Sequence, residues 1–274
     1  MKRINIGSFV TVNPYTRKHS VKEVSPENIH TIVFWSKNFG PFIKHHYGEE
    51  LLNKGYNLFF NFTINSRDKL LEPNLPTLNT RLKQLEHLAE TFGPDSINWR
   101  FDPVCHYKIN GIAKNNFNDF LLLSEAISKT KVKRCISSFT DIYKKIQRRL
   151  SVHPGLELVN LTMNKKIDAV LRMEKILSGH DIQLMLCCED IVLKALPGNA
   201  KTTASSCINN RLLKELYDSN ISLAKDTGQR TTKGCECNKS FDIGSYEIHP
   251  CRHNCLYCYA SPVKSPAERK NFEE

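Results

Sequence analysis

Five short runs of apolar, β-branched and aromatic residues recur along the chain, at 31–35, 58–64, 97–101, 132–139 and 182–187. Near-continuous apolar runs of this length are what strands buried on both faces look like. Between them the period changes to that of a helix. Leu78, Leu82, Leu85, Leu88 and Phe92 lie on one face and stop at Gly93-Pro94, a termination signal. Phe117, Phe120, Leu121 and Ile127 mark a second helix, Ile167, Val170, Leu171, Ile176 and Leu177 a third ending at Gly179, and Leu212, Leu213 and Leu216 a fourth. Strand and helix in alternation predict an α/β fold with a parallel sheet: a full or partial (β/α) barrel, with an open doubly wound sheet as the alternative. The 274 residues, 40% hydrophobic, suffice for one large domain. The periodicity fades after about Asp218. The expected division is therefore a barrel-like domain over 1–218 and a cysteine-rich appendage over 219–274, packed on the barrel without a second hydrophobic core.

In a barrel the C-terminal strand tips converge on one face, where sites form. The presumed strands end in polar residues there, which makes Lys37, Arg100, Asp102, Asp141 and Glu189 pocket candidates, Glu189 and Arg100 foremost. Structural ion pairs are the plain alternative. Lys225, Asp226, Gln229 and Arg230, just ahead of the cysteine-rich segment, are candidates for an anionic substrate or cofactor carboxylate, or form an ordinary polar loop. No Ser/His/Asp order, phosphate-cradling glycine loop or His-Glu-x-x-His helix is present, so hydrolase and nucleotide-hydrolysing classes have no motif support.

Ten cysteines, five of them between Cys235 and Cys258, set the chemistry. No apolar run approaches the roughly 20 residues that span a bilayer, and Met1-Lys2-Arg3 leads into no apolar leader, so a cytoplasmic, reducing location without membrane association is expected. There, clustered cysteines indicate metal ligation over disulfides. Cys251-x3-Cys255-x2-Cys258 lets a short loop offer three thiolates to a four-iron four-sulfur cluster and leaves the fourth iron open. In radical S-adenosylmethionine enzymes that iron takes S-adenosylmethionine. Tyr257, with Tyr259-Ala260 after it, is the candidate adenine contact, a packing role being its alternative. An active enzyme would need an electron donor such as flavodoxin or ferredoxin, and its substrate is not indicated. The principal rival is zinc held by Cys235, Cys237, Cys255 and Cys258. His249 and His253 stay outside the ligand set, as solvent-facing or hydrogen-bonded histidines.

A second four-thiolate site, iron–sulfur or zinc, is a candidate at Cys188, Cys207, Cys235 and Cys237. Cys105, Cys135 and Cys187 read as small core residues. The net charge of 39 − 28 = +11 favours anionic partners. Its densest run, Lys144-Lys145-Ile146-Gln147-Arg148-Arg149, falls on an amphipathic helix and reads as a solvated face before a nucleic-acid site. Two non-enzymatic readings therefore stand beside the enzyme: a zinc-stapled nucleic-acid-binding module and an iron–sulfur redox sensor.

Over most of its length the chain resembles the bacterial family catalogued as domain of unknown function 1848. The resemblance rests on Val33-Phe34-Trp35-Ser36-Lys37-Asn38, Trp99-Arg100-Phe101-Asp102-Pro103 and Ser138-Phe139-Thr140-Asp141-Ile142-Tyr143. It continues in Lys225-Asp226-x2-Gln229-Arg230 and in Cys235-x-Cys237-x2-Ser240-x-Asp242-Ile243-Gly244-x-Tyr246, leading into the triple-cysteine loop. It implies a permuted, radical-S-adenosylmethionine-like barrel, with the cluster loop at the C-terminus and no assigned reaction. The sequence departs from the pattern twice. Family members begin with a strand rich in Ser, Arg and Asp before the segment matched by Val12-Asn13-Pro14, where this chain has only Met1 to Phe9; loss of that strand would open the barrel. No Gly-Gly-Glu-like strand end, which radical enzymes use to grip the methionine amino group, is visible.

Overall fold

The computed structural model describes residues 1–12, 19–243 and 251–258. After helix α1 (Lys2–Ile6) and a hairpin of β1 (Ser8–Val12) and β2 (His19–Glu23), the main body alternates strand and helix. Its elements are β3 (Thr31–Ser36), α2 (Gly40–Lys44), α3 (Tyr47–Asn53), β4 (Asn57–Thr63), α4 (Leu78–Phe92) and β5 (Ile97–Val104), followed after an excursion by α5 (Phe120–Ser128), β8 (Arg134–Phe139), α7 (Met163–Ser178), β10 (Gln183–Leu186), α8 (Asp190–Ala195), β11 (Thr203–Ala204) and α9 (Asn210–Tyr217). The excursions supply β6 (His106–Ile109), β7 (Ile112–Asn115), α6 (Lys144–Leu150) and β9 (Leu156–Val159).

Six strands form one sheet, ordered β3-β4-β5-β8-β10-β11, with every neighbouring pair parallel. Spatial order follows chain order without the reversal that defines a doubly wound sheet. Among the described residues β3 and β11 do not pair, so the sheet is open. All five expected strands and all four expected helices are present within a few residues, as is the basic helix α6. Thr77 caps α4 by accepting from the Thr80 amide at 3.2 Å, and Gly93, at φ 82°, ends it.

Strand side chains alternate, and the two faces differ in kind. Leu58, Phe60 and Phe62 of β4, Ile97, Trp99 and Phe101 of β5, and Leu184 and Leu186 of β10 join Leu85, Leu88, Phe120, Val170 and Met173 from the helices in the main core. The positions between them carry polar groups. Asn61 and Asn98 are directly opposed across β4 and β5, and their amides bond at 3.1 Å. Arg134 of β8 donates to Asn98 at 2.7 Å. Arg100 and Asp102 continue the same row toward the C-terminal end.

The small sheet β7-β6-β9 is antiparallel. It was not expected, and it corrects one expectation. Tyr107, Leu156 and Leu158 pack with Ile146 and Leu150 of α6, Leu71, and Cys255, Leu256 and Tyr257 of the cysteine loop in a second, smaller core. The cysteine-rich segment thus takes part in a second core, because Cys255, Leu256 and Tyr257, in a stretch without periodicity, find their apolar partners far away in sequence.

Candidate metal centre

The loop bearing Cys251, Cys255 and Cys258 docks near the ends of β3 and β4 on a buried polar network. Lys37, directly after β3, donates to Glu72 at 2.8 Å and to the Tyr257 hydroxyl at 2.9 Å. Asn65, after β4, donates to the same hydroxyl at 2.8 Å, and that hydroxyl donates to Glu72. Arg81 of α4 reaches Glu72 from the other side at 3.4 Å. Glu72 is 2% exposed and Tyr257 7%. Burial by itself raises the Glu72 carboxyl, but Lys37 and Arg81 outweigh it and the net pKa lies below the ordinary value. The same burial, with Glu72 beside it, pushes the Tyr257 phenol well up, so it stays a neutral hydrogen-bonding group.

Three further contacts hold the loop. The Leu256 amide donates to the Leu71 carbonyl at 2.9 Å. Arg149, the inner residue of the basic run on α6, donates to the carbonyls of Cys255 at 2.7 Å and Cys258 at 2.6 Å. Asn254 adopts φ 55°, a left-handed turn between the first two cysteines that Asn tolerates. Cys255 is buried, and Cys251 and Cys258 lie within electrostatic range of it. Burial pushes the free Cys255 thiol up to about 12 against the pull of Lys37, so it is no nucleophile by itself.

Five other thiols meet at the opposite side of the same sheet end. Cys187 contacts Cys207 at 3.5 Å and Cys188 at 3.8 Å, while Cys188 also interacts with Cys235 and Cys207 with Cys237. Adjacent strand residues ordinarily point to opposite faces; the left-handed turn at Cys188, φ 58°, lets both thiols face one place. Arg100, 6% exposed, donates to the Cys207 sulfur at 2.9 Å and pairs with Asp102. Among the described residues, no group of three or more His, Cys, Asp or Glu side chains is arranged so that it could hold a metal ion without the side chains moving.

The family model described as domain of unknown function (DUF1848) matches residues 1–260. This chain belongs to that family. No curated protein matches it.

In this DUF1848 chain the expected site residues separate into groups. Lys37 and Tyr257 lie in the loop network; Arg100 lies with Cys188, Cys207, Cys235 and Cys237, to which the structure adds Cys187, expected as a core residue. Cys105 and Cys135 are buried in the two cores. Asp102 bridges the two groups: its amide donates to the Asn65 side-chain oxygen at 2.8 Å, and its carboxylate accepts from Arg100 and Ser138. Glu189 accepts from the Phe139 amide at 2.9 Å and pairs with Lys166, and burial raises its pKa. Asp141 pairs with Lys233 at 2.7 Å. Lys225 pairs with Glu236, and Asp226 accepts from Gln229 in a local turn. Arg230 lies near Cys188. Cys235 and Cys237 are not brought together with Cys255 and Cys258 as a mixed zinc set. His253 is half-buried beside the loop, while His249, Tyr246, Tyr259, Ala260, Asn13 and Pro14 lie outside the described residues.

Glu72, Asn65 and Arg149 were not among the expected residues. Glu72 and Arg81 also border a cavity of about 320 Å3 over residues 66–81, beside the cysteine loop.

Proposed function

We propose that the chain is an iron–sulfur protein of the radical S-adenosylmethionine-like kind, with Cys251, Cys255 and Cys258 holding a four-iron four-sulfur cluster. The single observation that carries this reading is the C-x3-C-x2-C loop, held by Arg149 and Tyr257 at the C-terminal end of a parallel sheet. The donor set fits: three thiols on one short loop, soft ligands suited to iron, with the loop carbonyls already satisfied by Arg149. The sequential strand order supports the partial-barrel reading. When bound, such a cluster supplies the electron that cleaves S-adenosylmethionine.

The chain's own residues hold and shield the loop. Tyr257 has its hydroxyl fully engaged by Lys37, Asn65 and Glu72, which supports an anchoring role over an adenine contact. Lys37 places positive charge beside Cys255 and offsets part of the effect of its burial. The cavity over residues 66–81 shares Glu72 and Arg81 with this network.

Anaerobic reconstitution with iron and sulfide, followed by an assay of S-adenosylmethionine cleavage under reducing conditions, tests the reading. Iron, sulfide and cleavage should all be lost in Cys255→Ala. Iron content and cleavage that survive this substitution would refute it, and a reducible cluster without cleavage would leave an iron–sulfur redox or sensing protein.

A further inference from the structure

The thiol group around Cys207 has no part in the chemistry proposed for the Cys251 loop. Its contacts run Cys235, Cys188, Cys187, Cys207, Cys237, and the two ends are joined by the single residue Glu236. The five residues therefore form a ring of neighbours, with Cys235 and Cys237 within electrostatic range of each other. In a tetrahedral thiolate site with metal–sulfur bonds of about 2.3 Å, the sulfurs stand roughly 3.8 Å apart. The measured 3.5 and 3.8 Å fall at that spacing.

Charge points the same way. Four thiolates around a divalent ion leave a net charge of about −2, which needs positive partners where water is excluded. Arg100 meets the ring from inside the sheet at 2.9 Å from the Cys207 sulfur, and its ion pair with Asp102 fixes its aim. Arg230 lies on the outer side, near Cys188.

The framework around the ring is also tight. Asn61 of β4 donates to the Cys207 carbonyl at 3.2 Å, and the Asp226 amide to that of Cys237 at 2.9 Å. Gly234, immediately before Cys235, has φ 80°, and a Cβ there would stand 2.6 Å from that of Asp190. Only glycine lets the chain approach α8 closely enough to bring Cys235 to Cys188.

From these observations we propose a second metal centre, independent of the Cys251 loop, in which four of these five cysteines bind one thiophilic divalent ion of the zinc type. The ion ties the 225–238 segment to the ends of β10 and β11. Binding draws the pairwise sulfur contacts inward around one point and releases the thiol protons.

The test uses a chain in which Cys251, Cys255 and Cys258 are all replaced by Ala. Zinc, iron and acid-labile sulfide are measured per chain, and the metal is then exchanged for Co2+. One equivalent of zinc with neither iron nor sulfide, and a thiolate-to-Co2+ charge-transfer absorption that is lost in Cys207→Ala, are expected. The unaltered protein gives a second readout that does not depend on these variants folding. Alkylation of the peptides holding Cys207 and Cys237, followed by mass spectrometry, should be blocked with Zn2+ present and restored by a chelator. Alkylation rates indifferent to Zn2+ and chelator, iron with equimolar sulfide in the triple variant, or a disulfide between Cys187 and Cys207 would each overturn the proposal. Loss of S-adenosylmethionine cleavage alone would bear only on the Cys251 loop.

Discussion

Glu72 takes two cationic partners and a tyrosine hydroxyl in a place where almost no water reaches it. Its depressed pKa makes a signed prediction. The stabilisation is fully present above the unfolded-state value of about 4.3 and is lost as pH falls through the lower folded value. Urea midpoints from pH 7 downward should therefore fall more steeply below about pH 4 in the parent than in Glu72→Gln. At pH 7 the variant should be less stable by about 3–5 kcal/mol, since Lys37 and Arg81 would be left without their counter-charge. Parallel pH curves would contradict this. Tyr257→Phe, which removes one hydroxyl from the network, should cost about 1–3 kcal/mol by the same measurement. Arg149→Ala should weaken retention of iron roughly 10–100-fold, as loss of an outer-shell partner does, with an unchanged circular dichroism spectrum. Of these residues Tyr257 stands out in the sequence through its place in the cysteine loop, Lys37 through its place after a strand, and Arg149 only as part of the basic run at 144–149. Glu72 stands 185 positions from Tyr257, in a stretch with no periodicity, and nothing local announces its partners.

β5 organises both faces of the large sheet. Trp99, fully buried, packs on Phe101 and Phe120 and donates to the Ile64 carbonyl at 2.9 Å, while Arg100 and Asp102 project to the polar side. Trp99→Ala should cost about 3–5 kcal/mol in a denaturation experiment, whereas Thr77→Ala, which removes the α4 cap, should cost about 1 kcal/mol and leave metal content unchanged. The parallel strands were legible because burial on both sides writes an apolar run, and α4 because its five apolar positions end at Gly93-Pro94. The small antiparallel sheet was not. His106–Ile109 and Ile112–Asn115 are four-residue strands rich in polar side chains, and β9 joins them from more than forty residues on. Cys188, Cys207, Cys235 and Cys237 were grouped by their number and chemistry. Cys187 was missed because strand alternation assigns it to the opposite side from Cys188, and only the left-handed turn at Cys188 reunites them.

Both thiol groups lie at the C-terminal end of one parallel sheet, the loop group near β3 and β4 and the Cys207 group near β10 and β11. A continuous hydrogen-bonded path joins them, from Tyr257 through Asn65 to Asp102, then through Arg100 to Cys207. Parallel sheets gather functional groups at this end, and here Asn65, Arg100, Asp102 and Cys207 come from the C-terminal part of a strand or the loop after it. The positive charge is spread over this architecture in small structural tasks: Arg149 holds the cysteine loop, Arg81 and Lys37 hold Glu72, Arg100 holds Cys207. Lys144, Lys145 and Arg148 are exposed on α6. No helix among the described residues is long and apolar enough to cross a membrane. The central claim concerns the loop of Cys251, Cys255 and Cys258, and iron and acid-labile sulfide per chain after anaerobic reconstitution test it most directly. The account predicts about four of each, all bound at the loop, in the parent protein and near-complete loss in Cys255→Ala; equal iron and sulfide in the two proteins would contradict it.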